Sequence, residues 1–356
     1  MLSGLVDSLM LRVGLAGLTG FIVSLAAGAW LIRFFHQKSV IEDTTQPDHA
    51  GLNAVQSQKK NVPTMGGLMI IVGVLAATLL WNDLGTDHTM LAVGVIAVLG
   101  VAGFIDDYIK LYHKPARGLN KKQKLIIQFI LGGIVGYLLE RSGELGAHQD
   151  EPNAATMIFC PFAGEAWDLG WWYVLWAAFL MAALSNAVNL TDGLDGLAGG
   201  SMVIAMGAMI LVIPMVFVTI TQNSLMHPPG TAQVMVLAGA VAGATTGFLW
   251  YNAHPAQIFM GDTGSLALGG LLAYIALVAK LDILVFVIGA VFVIDELTVA
   301  LQIASFKLTG KRIFPITPIH HYFQVHLKWP EEKIVMRFWI VGVVAAVVSL
   351  ALAACY

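Results

Sequence analysis

From Val13 to Ile32 the chain runs for twenty residues without a charged side chain. Runs of this kind recur along its length and constrain the fold more than any other feature. A helix needs about 20 mostly apolar residues to cross the hydrocarbon of a bilayer, and ten segments answer that description. They are Val13–Ile32, Thr64–Trp81, Thr89–Ile105, Leu125–Leu139, Leu169–Thr191, Gly196–Gln222, Ala232–Ala253, Thr263–Ala279, Ile283–Phe306 and Phe338–Tyr356. The fourth has only fifteen uncharged residues, and the ninth is interrupted by Asp295 and Glu296. Composition agrees: 58% of the 356 residues are hydrophobic and 12% charged, about half the charge of a soluble domain. A mean hydropathy of +0.78 and a net charge of only −3 together exclude a disordered chain or a nucleic-acid-binding module. The expectation is a single all-α polytopic membrane domain over residues 1–356, with every backbone polar group bonded inside its own helix. The first run is too long for a signal-peptide core and reads as the first span.

Charge placement gives an orientation. With ten spans the termini share one side of the membrane, and 16 of the 19 Lys and Arg residues fall on the other. Basic loops stay in the cytoplasm, so both termini are expected to be extracytoplasmic. The one long loop on that side, Glu140 to Asp168, is acidic and polar. Cys160 and Cys355 are the only cysteines; their pairing is topologically possible, and they exclude a cysteine-based metal cluster.

The scarce polar residues gather in five places. Asp106 and Asp107 end the third span, and adjacent residues on a helix point about 100° apart. One carboxylate can meet a substrate or metal while its neighbour braces the helix end or a cation. In Asn186-Ala-Val-Asn-Leu-Thr-Asp-Gly-Leu-Asp195, Asn186 and Asn189 are three apart, as are Asp192 and Asp195, so each pair shares a helical face. Amides and carboxylates beside glycines suit a sugar or nucleotide head group. Asp262 lies between glycines in Phe259-Met-Gly-Asp-Thr-Gly-Ser265, where a helix start attracts phosphate. An acidic residue belongs there if a divalent cation bridges it to that phosphate. Phe259 can stack on a base or anchor at the interface. His320 and His321 are adjacent and cannot easily hold one zinc ion, which leaves contact with phosphate or proton handling. Lys59, Lys60, Lys121, Lys122 and Lys124 supply positive charge, and Lys59 precedes the break at Pro63-Thr-Met-Gly-Gly67.

All five elements fall on the cytoplasmic side of the expected topology. Carboxylates with few nitrogen ligands, together with anionic substrates, favour Mg²⁺. The chemistry indicated is phosphoryl transfer at the membrane surface.

Five motifs in this order resemble the phospho-N-acetylmuramoyl-pentapeptide-transferase family. They are Pro63-Thr-Met-Gly-Gly67, Phe104-Ile-Asp-Asp-Tyr108, Asn186 to Gly196, Phe259 to Gly270 and Pro318-Ile-His-His321. The resemblance runs from about residue 16 to 350. The aspartate pair and the Asn/Asp segment belong to the wider polyprenyl-phosphate hexosamine-1-phosphate transferases. The histidine segment, with Trp329-Pro330 and Arg337-Phe-Trp339, is particular to the muramoyl-pentapeptide branch. The resemblance implies a homodimer in the bacterial inner membrane that uses Mg²⁺ at a cytoplasmic site. It implies transfer from UDP-N-acetylmuramoyl-pentapeptide to undecaprenyl phosphate, giving lipid I and UMP. By the same resemblance Asp262 holds Mg²⁺, and Asp106 is the base or nucleophile with Asp107 beside it. Asn186, Asn189, Asp192, Asp195 and Phe259 line the nucleotide side, with Lys59, Thr64, Lys122 and Lys124 nearby. His320 and His321 complete the site.

Two departures stand out. Tyr322 occupies the place of the family's third histidine, and Val62 replaces a threonine before Pro63. Asp295 and Glu296 are read as marking a helix break, with no catalytic role. A related transferase acting on another UDP-hexosamine is the alternative enzyme. A transporter would carry its acids near span midpoints, where this chain has only Asp295 and Glu296.

Overall fold

The computed structural model of the protein describes residues 8–38, 62–112, 118–141, 154–163, 165–220 and 229–355. Its long helices are α1 (Leu9–Lys38), α2 (Gly67–Trp81), α3 (Asp87–Tyr112), α4 (Lys121–Arg141), α5 (Trp172–Thr191), α6 (Leu197–Ile220), α7 (Pro229–Asn252) and α8 (Gly261–Val278). The short α9 (Val285–Ile288) follows, then α10 (Ala290–Thr309), α11 (Ile319–Val325) and α12 (Glu331–Ala353). Among the described residues, eight helices are long and apolar enough to cross a membrane: α1, α3 to α8 and α12. The apolar α2 is shorter, at fifteen residues.

The bundle is organised around α8, whose residues from Asp262 to Val278 are all buried. It packs on α3 and α5, with α2 and α7 beside it. In lipid no hydrophobic force draws helices together, so small residues that let backbones approach are the means of packing. A Cβ at Gly269 of α8 would strike the backbone of Leu184 and Ser185 on α5. One at Gly103 of α3 would strike the backbone of Asp262 and Thr263. Close approach at Gly103 brings the end of α3 against the start of α8. Elsewhere, Gly17 and Gly20 of α1 lie against Gly239, Ala240 and Gly243 of α7.

The expected interruption near residue 295 is displaced. The break is at Gly289, between α9 and α10, while Asp295 and Glu296 lie within the continuous α10. Asp295 needs no break because it is fully buried against a histidine partner.

At the opposite end of α8 from Asp262, the segment expected to be a plain polar loop forms a hairpin of β1 (Met157–Cys160) and β2 (Glu165–Asp168). Lys280 ties this hairpin to the bundle. Its ammonium donates to the carbonyl of Ala155 and to the Tyr173 hydroxyl at 3.3 Å, and it lies 4.3 Å from the centre of the Tyr173 ring. Nearby, Trp176 Nε1 donates to Asp282 at 3.2 Å. Burial pushes Lys280 down to about 8 and Asp282 up to about 6. Cys160 and Cys355 are both free thiols.

Candidate active site

The start of α8 is where the described motifs meet. Gly261 has φ +72, and a Cβ there would lie 2.6 Å from Asp107 Oδ2 and 3.0 Å from Thr64 Oγ1. Only glycine fits that backbone and that space. The Pro63–Gly67 segment is laced to the same turn by main-chain bonds. Phe259 N–H donates to the Pro63 carbonyl, Gly66 N–H to Phe259 and Gly67 N–H to Met260, each at 2.8 Å. Thr64 is buried beside this turn.

Asp106, Asp107 and Asp262 converge there, with an oxygen of each within 4.8 Å of the others. Their exposures are 0%, 1% and 8%. The two adjacent aspartates divide the work that their angular separation allows. Asp107 accepts the main-chain N–H groups of Asp262 at 3.0 Å and Thr263 at 2.9 Å, and the Thr263 hydroxyl at 2.6 Å. It thus caps α8 from another helix, satisfying donors that a helix start leaves unpaired. Asp106 accepts Leu119 N–H at 2.6 Å and faces two ammonium groups, Lys110 at 2.8 Å and Lys124 at 2.9 Å. Both lysines also reach Asp262, Lys110 at 3.3 Å. Asn189 donates to Asp262 Oδ1 at 3.0 Å and to Ser265 Oγ at 2.8 Å.

Three hard carboxylate donors in one buried group fit Mg²⁺, which binds oxygen and leaves room for phosphate oxygens. Asp262 is the most exposed of the three and stands at the helix terminus, so it is best placed to share an ion with an arriving phosphate.

A second cluster lies one helix end away, past Asn189 on α5. Asp192 caps the C-terminus of α5 and is half-buried. Asp195 Oδ2 lies 3.0 Å from His254 Nδ1 and accepts Ala256 N–H at 3.1 Å, while its own N–H donates to Glu331. Asn252 joins this loop to the turn before α8: it accepts Gly196 N–H at 2.9 Å and donates to the Ile258 carbonyl at 2.9 Å. That leaves the half-buried Phe259 ring on the same turn as Asp262.

His320 and His321 both lie against Gly193. A Cβ on Gly193 would come within 2.5 Å of His320 Nε2 and 3.4 Å of His321 Cε1. The histidine segment is held by a separate apolar cluster of Leu194, Leu197, Val291, Ile334 and Val335, with Phe323 and Trp329 packed on it. Phe323 stacks on Trp329 with centroids 5.0 Å apart, and Arg337 covers the same indole at 4.1 Å. Tyr322, in the place of a third histidine, stacks on His326 at 5.2 Å.

Some expected residues stand apart. Lys122 is exposed at the first turn of α4, whereas Lys124 turns inward to the carboxylates. Asn186 is spent on Gln128 and the Ala182 carbonyl, both at 2.8 Å, joining α5 to α4. Lys59 and Lys60 lie outside the described residues. Lys110, which is not among the expected residues, joins the group from four residues after Asp106, a helical-neighbour spacing. Asp295, expected to mark a helix break, lies inside α10 instead. An acid inside an apolar span is better taken as a functional residue with a partner, and its partner is His320 at 2.8 Å.

A model described as Glycosyl transferase family 4 matches residues 89–280. The phospho-N-acetylmuramoyl-pentapeptide-transferase of Caulobacter vibrioides (strain NA1000 / CB15N) is 42% identical over 350 residues, 98% of this chain and 93% of its own length. The enzyme of the same name from Desulforapulum autotrophicum is 37% identical over 342 residues, 94% of this chain and 90% of its own length. A third, from Caulobacter sp. (strain K31), is 40% identical over 352 residues, 98% of this chain and 93% of its own length. Agreement of this extent reaches well beyond the matched motifs and spans the helices that carry both clusters: the chain belongs to the phospho-N-acetylmuramoyl-pentapeptide-transferase family.

Proposed function

We propose that this chain transfers phospho-N-acetylmuramoyl-pentapeptide from its UDP conjugate to undecaprenyl phosphate, releasing UMP and giving lipid I, the first membrane step of peptidoglycan synthesis. The observation that carries the reading is the buried group of Asp106, Asp107 and Asp262 at the start of a central helix. Three carboxylates gathered in one buried group would suit a divalent cation that takes phosphate oxygens as its further ligands.

Asp262 would hold Mg²⁺ in this reading, with Asp106 and Asp107 close enough to join it. An ion held there would supply positive charge to neutralise the transferring phosphate. Asp107 fixes the Asp262 backbone. Asn189 orients the Asp262 carboxylate. Asp106 is the base for the lipid phosphate or the nucleophile toward the β-phosphate, and a muramoyl-phosphoryl enzyme trapped without lipid distinguishes the two. Lys110 and Lys124 bring positive charge to the diphosphate. Asp192, Asp195 and Phe259 face the nucleotide, and His320 with His321 closes the site beside Gly193.

The same reading has ten spans, α2 and α10 being the two beyond the eight long apolar helices, in the inner membrane of a bacterium. The site faces the cytoplasm, in keeping with the basic residues, and the protein is a homodimer by resemblance to its family.

The test is UMP release by detergent-solubilised protein, with undecaprenyl phosphate and Mg²⁺, from the muramoyl-pentapeptide nucleotide and from UDP-N-acetylglucosamine. Release from the first alone is expected. Release from the second alone would move the chain to the related hexosamine transferases.

A further inference from the structure

Lys110 holds a position that a metal ion would also need. Its ammonium is 2.8 Å from Asp106 Oδ2, 3.3 Å from Asp262 Oδ1 and 3.9 Å from Asp107 Oδ1. It therefore touches all three carboxylates from one point. Lys124 approaches from α4 and binds Asp106 and Asp262. The group thus sets three largely buried carboxylates against two ammonium groups. A divalent ion on Asp262 would lie within about 4 Å of the Lys110 ammonium, where like charges repel strongly even at an effective dielectric near 20. An ion bound there competes with the lysines for those oxygens. The lysines can leave: each is a flexible stem at a helix end, and their side chains are 28% and 17% exposed.

We propose that Lys110 and Lys124 are resident counter-cations of the carboxylate group, that they give up their places when the divalent ion loads, and that they then turn to the diphosphate of the nucleotide. This rests on the metal assignment made above. It gives the lysines two successive partners: without the ion they prevent three buried carboxylates from repelling one another, and with it they neutralise the substrate. At neither stage do the carboxylates stand without a cation beside them, which matters because an uncompensated buried charge is strongly destabilising.

The test reads metal binding without turnover. Free Mn²⁺ is measured by paramagnetic resonance as it is titrated into purified protein lacking nucleotide. Lys110→Met and Lys124→Met are each expected to bind Mn²⁺ on the order of tenfold tighter than the parent, because a competing cation is gone. Lys307→Met, on the exposed last turn of α10, should match the parent. In unsubstituted protein, acetylation of Lys110 and Lys124 by an amine reagent, read by mass spectrometry, should rise when Mg²⁺ is added. Unchanged or weaker Mn²⁺ binding in both methionine variants overturns the exchange, as does a fall in lysine labelling on adding Mg²⁺. Asp262→Asn should lose the ion; retained tight binding there overturns the metal assignment instead.

Discussion

Asp295 Oδ2 lies 2.8 Å from His320 Nδ1, and neither residue has any solvent exposure. The carboxylate on α10 thereby turns the imidazole so that Nε2 faces the Gly193 loop. Orientation of this kind is lost when the carboxylate is removed; for comparison, the partners of metal-bound histidines typically contribute 10- to 100-fold. Asp295→Ala is expected to lower kcat for UMP release by about that factor with little change in KM for the nucleotide. Asp295→Asn, which keeps an acceptor for Nδ1–H, should retain more activity than the alanine variant. Equal activity in parent and alanine variant would remove His320 from the site.

The two adjacent aspartates should separate in their effects. Asp107→Ala leaves the N–H groups of Asp262 and Thr263 without their acceptor, which costs about 1–3 kcal/mol for each buried group left unpaired. Both turnover and thermal midpoint should fall. Asp106→Ala removes one of three like charges and is expected to abolish turnover with a smaller loss of midpoint. A calorimetric scan beside the UMP assay checks the pair, and the reverse order of midpoints would reverse the assigned roles.

Gly261→Ala combines a left-handed backbone, costing roughly 1–2 kcal/mol for an L-residue, with a Cβ pressed on Asp107 and Thr64. The neighbours cannot both yield without moving the aspartate cap. The variant should fold with a lowered midpoint and lose Mn²⁺ binding, since the turn carries Asp262.

A pH dependence of stability is expected far from the chemistry, at Lys280 and Asp282. Asp282 rises from 3.8 to about 6 in the folded protein, so its contribution is fully present below about pH 4 and is lost as pH rises through 6. Lys280 falls from 10.5 to about 8, so its contribution is present above about pH 10.5 and is lost as pH falls through 8. Together they place a shallow minimum between pH 6 and 8 in the thermal midpoint. Lys280→Met should flatten the alkaline limb and Asp282→Asn the acid limb, both read by thermal melts in detergent.

Much of the site was legible one motif at a time. Proline and glycine at 63–67, the glycine-flanked Asp262 and the Asp106–Asp107 pair announce themselves by residue type. Other assignments needed the packed bundle. Of Lys122 and Lys124 only the second turns inward, because rotation about α4 is set by its contact with α5 through Gly132 and Gly136. Asn186 reads like Asn189 in sequence, yet it is spent between two helices. Asp295 looked like a disruption until His320 stood against it.

The division has a physical cause. Transfer of side chains from water to lipid is summed over neighbours in the chain, so the run from Val13 to Ile32 and its repeats determine the solvent, the helical class and the side on which charge collects. Which carboxylate caps a helix and which meets a lysine depends on contacts between Asp107 and Asp262, 155 residues apart. Those contacts exist only because Gly103 lets two helix backbones touch. No local pattern encodes that approach, and tertiary packing alone decided it.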